Sequence, residues 1–133
     1  MLKKQEDSYR HKGMRRKLIE GIRSKGISNE HVLNAMNNIP RHFFLDPAFD
    51  HIAYEDRAFP IGEGQTISQP YTVAYQSELL MVNKLDKVLE IGTGSAYQAT
   101  VLAEMGAFVY TIERQKKLFD RNILHYPFKT MYK

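Results

Sequence analysis

Apolar positions follow a helical period over the first third of this chain. Leu18, Ile19 and Ile22 share one face of a helix predicted from Met14 to Ser24, and Gly26 ends it. Ser28 is the expected N-cap of a second helix, with Glu30 in its first turn. Val32, Leu33, Met36 and Ile39 form its buried stripe before Pro40 closes it. Arg41 to Tyr54 keeps no period, and Phe43, Phe44, Phe49 and Tyr54 are expected to pack onto a sheet. The next stretch, to Tyr71, is punctuated by Pro60, Gly62, Gly64 and Pro70, the mark of a loop, yet it is apolar enough to be held down. Tyr71 to Met81 then reads as a helix with Val73, Ala74, Leu79 and Leu80 inward.

From Asp86 the pattern changes. Val88-Leu89-Glu90-Ile91 is a short apolar run, and Gly92 and Gly94 follow at once. Gln98 to Met105 returns to helical spacing, with Gly106 at the C-cap position. Ala107 to Ile112 is rich in β-branched and aromatic residues and ends in Glu113, 21 residues after Gly92. Strand, glycine turn, helix, strand and acid make the first βαβ unit of a nucleotide-binding sheet. A carboxylate about 20 residues past the first glycine is placed to grip ribose hydroxyls. The loop from Tyr54 to Tyr71 is expected to lie over this turn, where Ser68 by itself reads as a cap or turn serine.

The glycines discriminate between cofactors. A dinucleotide site needs G-x-G-x-x-G, and its third glycine would fall on Tyr97. Glu90-x-Gly92-x-Gly94-x-Ala96 instead resembles the E-x-G-x-G-x-G of S-adenosylmethionine (AdoMet) methyltransferases. A sulfonium cation with an amino-acid tail suits a carboxylate at a strand end and bare backbone in the turn. A glycine-rich βα turn that binds nothing is the alternative.

Composition narrows the picture. The chain has 133 residues, enough for one domain with a real core, and is 43% hydrophobic and 26% charged. It has no cysteine, which excludes disulfides and thiolate metal sites. Its histidines (His11, His31, His42, His51 and His125) have no helical metal-ligand spacing, so no metal is expected. Met1 to Lys17 is polar and basic without the apolar core of a signal peptide, and nothing reaches membrane length, so a cytoplasmic protein is expected. A net charge of +4 does not by itself imply a nucleic-acid partner.

Pro60-Ile61-Gly62, then Gly64-Gln65-Thr66-Ile67-Ser68-Gln69-Pro70, then Val88 to Ser95 with Tyr97-Gln98 closely resemble the protein-L-isoaspartate (D-aspartate) O-methyltransferase family. The likeness runs from about Leu18 to Arg114, and the T-I-S-Q-P segment is more specific than the glycine motif. It implies an α/β, partial doubly wound (Rossmann-like) AdoMet-dependent methyltransferase fold with an N-terminal helical region. It implies methyl transfer from AdoMet to the free carboxylate of isoaspartyl residues in damaged proteins. Ser68 would be the active-site serine. Thr66, Ile67, Glu90, Gly92, Thr93, Gly94, Ser95, Tyr97 and Gln98 would border the cofactor, and Glu113 would hold its ribose.

The expected organisation is one domain over 1–133. A flexible basic arm (1–13) precedes N-terminal helices and the active-site loop (14–70). The first half of the AdoMet-binding βαβ unit (71–121) and a divergent tail (122–133) follow. Ala96 stands where the family has its third glycine, and the match fades after about Arg121, as in a truncated member. Three functions therefore compete: a working carboxyl methyltransferase acting on isoaspartyl peptides, a non-catalytic remnant with weak AdoMet affinity, and a nucleic-acid-binding module. The last would use the basic arm and a tail in which Phe119, Tyr126, Phe128 and Tyr132 alternate with basic residues. Two strands rarely stand alone. A homo-oligomer is thus expected, burying the Val88–Ile91 strand or the tail from Leu118 to Tyr132.

Overall fold

The computed structural model describes residues 5–125. Helix α1 (Tyr9–Ser24) begins earlier than its apolar stripe predicts. Ser8 caps it, with His11 returning the bond in a capping box, so capping chemistry starts the helix before its first apolar residue. This corrects the expected arm: residues 9–13 are helical, and residues 1–4 lie outside the described residues. Asn29, rather than Ser28, caps α2 (Glu30–Asn38). The backbone N–H groups of Ser28 and Asn29 instead donate to Glu78 of a later helix, at 2.9 and 2.7 Å. A carboxylate from a distant element thus sits at the positive end of α2.

Two short 3-10 turns, Arg41–Phe44 and Pro47–Ile52, occupy the aperiodic stretch. Its aromatic side chains divide between a helix, a strand and the stretch itself. Phe44 sets edge-on against Tyr97 at 5.3 Å, and Tyr54 meets His42, while Phe49 reaches Phe59 at 5.4 Å. The expected loop contains an antiparallel hairpin, β1 (Phe59–Gly62) and β2 (Gln65–Ile67). Pro60 and the shortness of β2 hid it from pattern reading. Glu63 and Gly64 both take positive φ, the conformation a two-residue hairpin turn requires.

Helix α3 (Pro70–Leu80) buries Val73, Ala74 and Ser77. Leu79 and Leu80 are exposed, contrary to expectation, because the inward stripe passes through Ser77. Strand β3 (Lys87–Ile91), helix α4 (Tyr97–Glu104) and strand β4 (Phe108–Ile112) form the βαβ unit. The strands pair in parallel from Lys87 opposite Phe108 to Ile91 opposite Ile112. Gly106, at φ +97°, ends α4 as the C-cap pattern predicts. Helix α5 (Lys116–His125) runs through the expected boundary at 121, so residues 122–125 continue a helix rather than open a tail. The remainder of the tail, 126–133, lies outside the described residues.

Helix α2 is the hub, touching α1, α3 and α4. Val32 and Leu33 are completely buried there, and Ile22, Met36, Val101 and Leu102 close the core around them. Side chains alternate across the strands. Val88 and Val109 are therefore covered, whereas Leu89, Ile91, Phe108, Tyr110 and Ile112 are exposed on the opposite face. Ile91 keeps 74% of its surface accessible. No described helix is long and apolar enough to cross a membrane.

Candidate functional site

The chain leaves β3 through a turn held on both sides. Backbone N–H groups of Gly92 and Thr93 donate to the Ile112 carbonyl at 2.8 and 3.2 Å, extending the strand pairing into the turn. Gly92 and Gly94 take φ of 90° and 55°, a region that side chains disfavour. Glu113 at the end of β4 closes the turn: its Oε2 accepts from Gly94 N–H at 2.8 Å and its Oε1 from Gln115 N–H at 2.7 Å. From α5, Asn122 donates to the Gly94 carbonyl at 2.9 Å.

The same alternation that covers Val88 puts Glu90 on the inner face, two residues nearer the turn. Thr111, its register partner, donates to Glu90 at 2.7 Å, and Thr93 lies 2.6 Å from the Thr111 hydroxyl. Burial raises the Glu90 carboxyl above the ordinary carboxylate range. Thr111 opposes that shift and the neighbouring Glu113 charge adds to it. A cation beside Glu90 would relieve both desolvation and repulsion.

A cavity of about 310 Å³ opens between this turn and the hairpin. Thr66, Ile67 and Ser68 line one side; Glu90, Gly92, Thr93, Gly94, Ser95, Tyr97 and Gln98 line the other. Ile61 of β1 closes over the turn, its Cδ1 lying 3.8 Å from where a Gly94 β-carbon would sit. Residues separated by more than twenty positions in the chain therefore share one pocket. Glu113 is the exception: it braces the pocket floor through Gly94 and does not line the cavity. Tyr97 lines it mostly as a packing residue, 2% exposed between Phe44 and Arg41.

The residues fit a cationic ligand with polar substituents. Gln98 donates to Ser77 at 2.9 Å while its buried Oε1 has no partner among the described residues. That orphan acceptor, the destabilised Glu90 carboxylate and side-chain-free backbone at Gly92 supply what a cation with polar substituents needs. Sequence reasoning missed Thr111, Ser77, Asn122 and Arg121, the last donating to the Ile61 carbonyl at 2.8 Å. The Thr111 position was legible from strand register; the others depend on tertiary packing.

A family model described as protein-L-isoaspartate(D-aspartate) O-methyltransferase matches residues 13–125. The chain belongs to this family. Among curated relatives, the protein-L-isoaspartate O-methyltransferase of Cytophaga hutchinsonii is 62% identical over 117 residues, covering 88% of this chain and 53% of that protein. That of Flavobacterium psychrophilum is 56% identical over 122 residues, 92% of this chain and 57% of the relative. The chain thus spans about half the length of the curated relatives it matches. A solved protein-L-isoaspartate O-methyltransferase superposes with TM-score 0.70 at 32% identity, covering 82% of this chain and 38% of that one. A second, a putative enzyme of the family from Plasmodium falciparum in complex with S-adenosyl-L-homocysteine, gives 0.68 at 25% identity, covering 82% and 54%.

The family's E-x-G-x-G-x-G turn ends here in Ala96, which adopts the left-handed conformation at φ 68° and ψ 6°. Ala96 is fully buried, and the Thr100 hydroxyl donates to its carbonyl at 2.8 Å. A β-carbon in this conformation costs about 1–2 kcal/mol. Ala96→Gly is expected to raise unfolding free energy by about 1 kcal/mol, the extra freedom of glycine in the unfolded chain offsetting part of the gain. Urea denaturation checks this; an unchanged or lower midpoint would contradict it.

Folding also gathers Asp7, His11 and His42, whose ligand atoms lie within 4.8 Å of one another. No sequence spacing announced this cluster, and its groups have other partners. Arg15 takes both Asp7 oxygens at 3.0 Å, and His11 joins Ser8 and Asp50. His42 joins the Tyr54 hydroxyl and the Glu6 carbonyl.

Proposed function

We propose that this chain binds AdoMet in the glycine-turn cavity and directs its methyl group to the free carboxylate of L-isoaspartyl residues in damaged proteins. The observation that carries the reading is the convergence of Ser68 and the glycine turn on one cavity. When bound, AdoMet supplies a methyl group on a sulfonium centre. Glu90 and the Gly92–Ser95 backbone hold the cofactor, and Glu113 keeps the turn in shape for its ribose. The substrate carboxylate is already a nucleophile and needs no general base. Ser68 donates a hydrogen bond that orients it, and the hairpin excludes water.

Glu113, with both oxygens already engaged by backbone N–H groups, favours a second reading, a non-catalytic remnant that retains weak AdoMet affinity. The nucleic-acid alternative is weakened because Arg15, in the basic stretch before Leu18, is buried and paired with Asp7. Transfer from labelled AdoMet to an isoaspartyl peptide, beside calorimetry with S-adenosyl-L-homocysteine (AdoHcy), separates these readings. Ser68→Ala is expected to lower transfer about tenfold or more, the effect of losing one hydrogen bond to a charged group, with AdoHcy affinity nearly unchanged. Full transfer by the variant would exclude the serine's role. Binding without transfer in the wild type would select the remnant.

A homo-oligomer belongs to the same proposal. The exposed face carrying Leu89, Ile91, Tyr110 and Ile112 is apolar surface that a second copy could bury. Light scattering at low micromolar concentration checks it, and a monomeric mass would rule it out.

A further inference from the structure

Among the described residues Arg41 is the largest completely buried side chain, with no accessible surface. Such a cation is expensive to hide unless its donors are paired. Its Nη2 donates to the Ser68 carbonyl at 3.0 Å and to the Arg57 carbonyl at 3.3 Å, while Nε and Nη1 have no partner among the described residues. The two accepting carbonyls are informative. Arg57 lies just before β1 and Ser68 just after β2, so one nitrogen ties both ends of the hairpin. The guanidinium carbon lies 4.9 Å from the ring centre of Tyr97, the first residue of α4 after the glycine turn. Arg41 itself opens a short 3-10 turn that follows α2, the hub of the core.

We propose that Arg41 is a positioning residue that staples the Ser68 end of the hairpin to the start of the cofactor helix, fixing the substrate side of the cavity relative to the cofactor side. The inference rests on the reading of Ser68 as the substrate-orienting residue. For packing alone, an apolar side chain of similar volume would fill such space as well or better, so the buried charge points to the polar contacts it makes. The charge is used where it meets backbone carbonyls at both ends of the hairpin, and only a donor can do that. Tyr97 supplies a π face for the same cation and so registers the hairpin on α4.

Arg41→Met and Arg41→Lys in the full chain test the staple. Hydrogen exchange across residues 57–68 is the primary readout, followed by calorimetry with AdoHcy and with an isoaspartyl peptide. In Arg41→Met, hairpin amides are expected to exchange about tenfold or more faster, and peptide affinity to fall by a similar factor, as for loss of hydrogen bonds from a charged donor. Protection of α1 and α2 should stay within about twofold, because those helices are held by apolar packing. Arg41→Lys, which keeps a donor, should recover a large part of both. Unchanged hairpin exchange in Arg41→Met would overturn the proposal. So would acceleration spread evenly over α1, α2 and the hairpin, or a lysine variant no better than the methionine one. Failure of the wild type to bind either ligand would refute the function proposed for the cavity, while the exchange pattern still decides whether Arg41 holds the hairpin.

Discussion

Glu113→Ala is expected to weaken AdoHcy binding by about 10- to 100-fold, corresponding to one or two hydrogen bonds made by a charged acceptor. The carboxylate holds the Gly94 N–H in the turn and the Gln115 N–H at the entry to α5. Its removal frees the turn to relax from the positive φ values at Gly92 and Gly94, and it deletes the acid proposed to act on the ribose. Glu113→Gln separates the two roles. An amide oxygen can still accept from Gly94, so the turn survives, but the charge-assisted grip on hydroxyls is lost. Affinity ordered wild type, then glutamine, then alanine is the expected series in calorimetry. Equal affinity of wild type and Glu113→Ala would mean that the cofactor site lies elsewhere.

Arg15→Ala is expected to be the most destabilising change outside the apolar core, by about 2–4 kcal/mol at neutral pH. The Arg15 guanidinium donates to both oxygens of Asp7 at 3.0 Å, to the Tyr54 hydroxyl at 2.9 Å and to the Asn37 carbonyl at 2.6 Å. It thereby joins the segment before α1, the end of α2 and the turn that carries Tyr54. Its loss takes a donor from three polar partners at once, of which the Tyr54 hydroxyl keeps His42. The magnitude stays below that of a fully buried ion pair because Asp7 retains 24% of its side-chain surface. The pH dependence has a definite sign. Burial pushes the Asp7 carboxyl up, but the hydrogen bonds and charge of Arg15 outweigh it and hold Asp7 below its ordinary 3.8. A lowered folded-state pKa adds stability above the unfolded value and loses it as pH falls through the folded one. The gap between wild type and variant, measured by urea denaturation, should therefore be full at neutral pH and shrink below 3.8. A gap independent of acid would show that Asp7 contributes nothing through this pair.

These two residues differ in how far they could be read from the chain. Glu113 was singled out by its distance from the first glycine, and the structure puts it against the turn, accepting from Gly94, although outside the cavity lining. Arg15 looked like one of seven basic residues before Leu18, and only packing revealed it as a buried hub.

Periodicity and backbone chemistry alone determined the strand, glycine turn, helix and strand, because alternation, apolar spacing and positive φ are local properties. The motif residues carried the resemblance to the family and marked Ala96 at the third glycine's place, but its left-handed conformation is a finding of the structure. The tertiary structure decided the rest. Helix α1 starts at a capping serine and histidine that precede any apolar stripe, and α2 is covered at its N-terminus by Glu78 from another element. The hairpin forms although Pro60 argues against a strand locally, and it meets Arg41, Arg121 and, through Ile61, the turn. Leu79 and Leu80 turn outward because burial follows the face that meets α2, not the number of apolar residues available. Local geometry is written in nearest neighbours along the chain. A site whose halves meet across a cavity depends on which distant donors find which carbonyls, and that pairing exists only after the chain has packed.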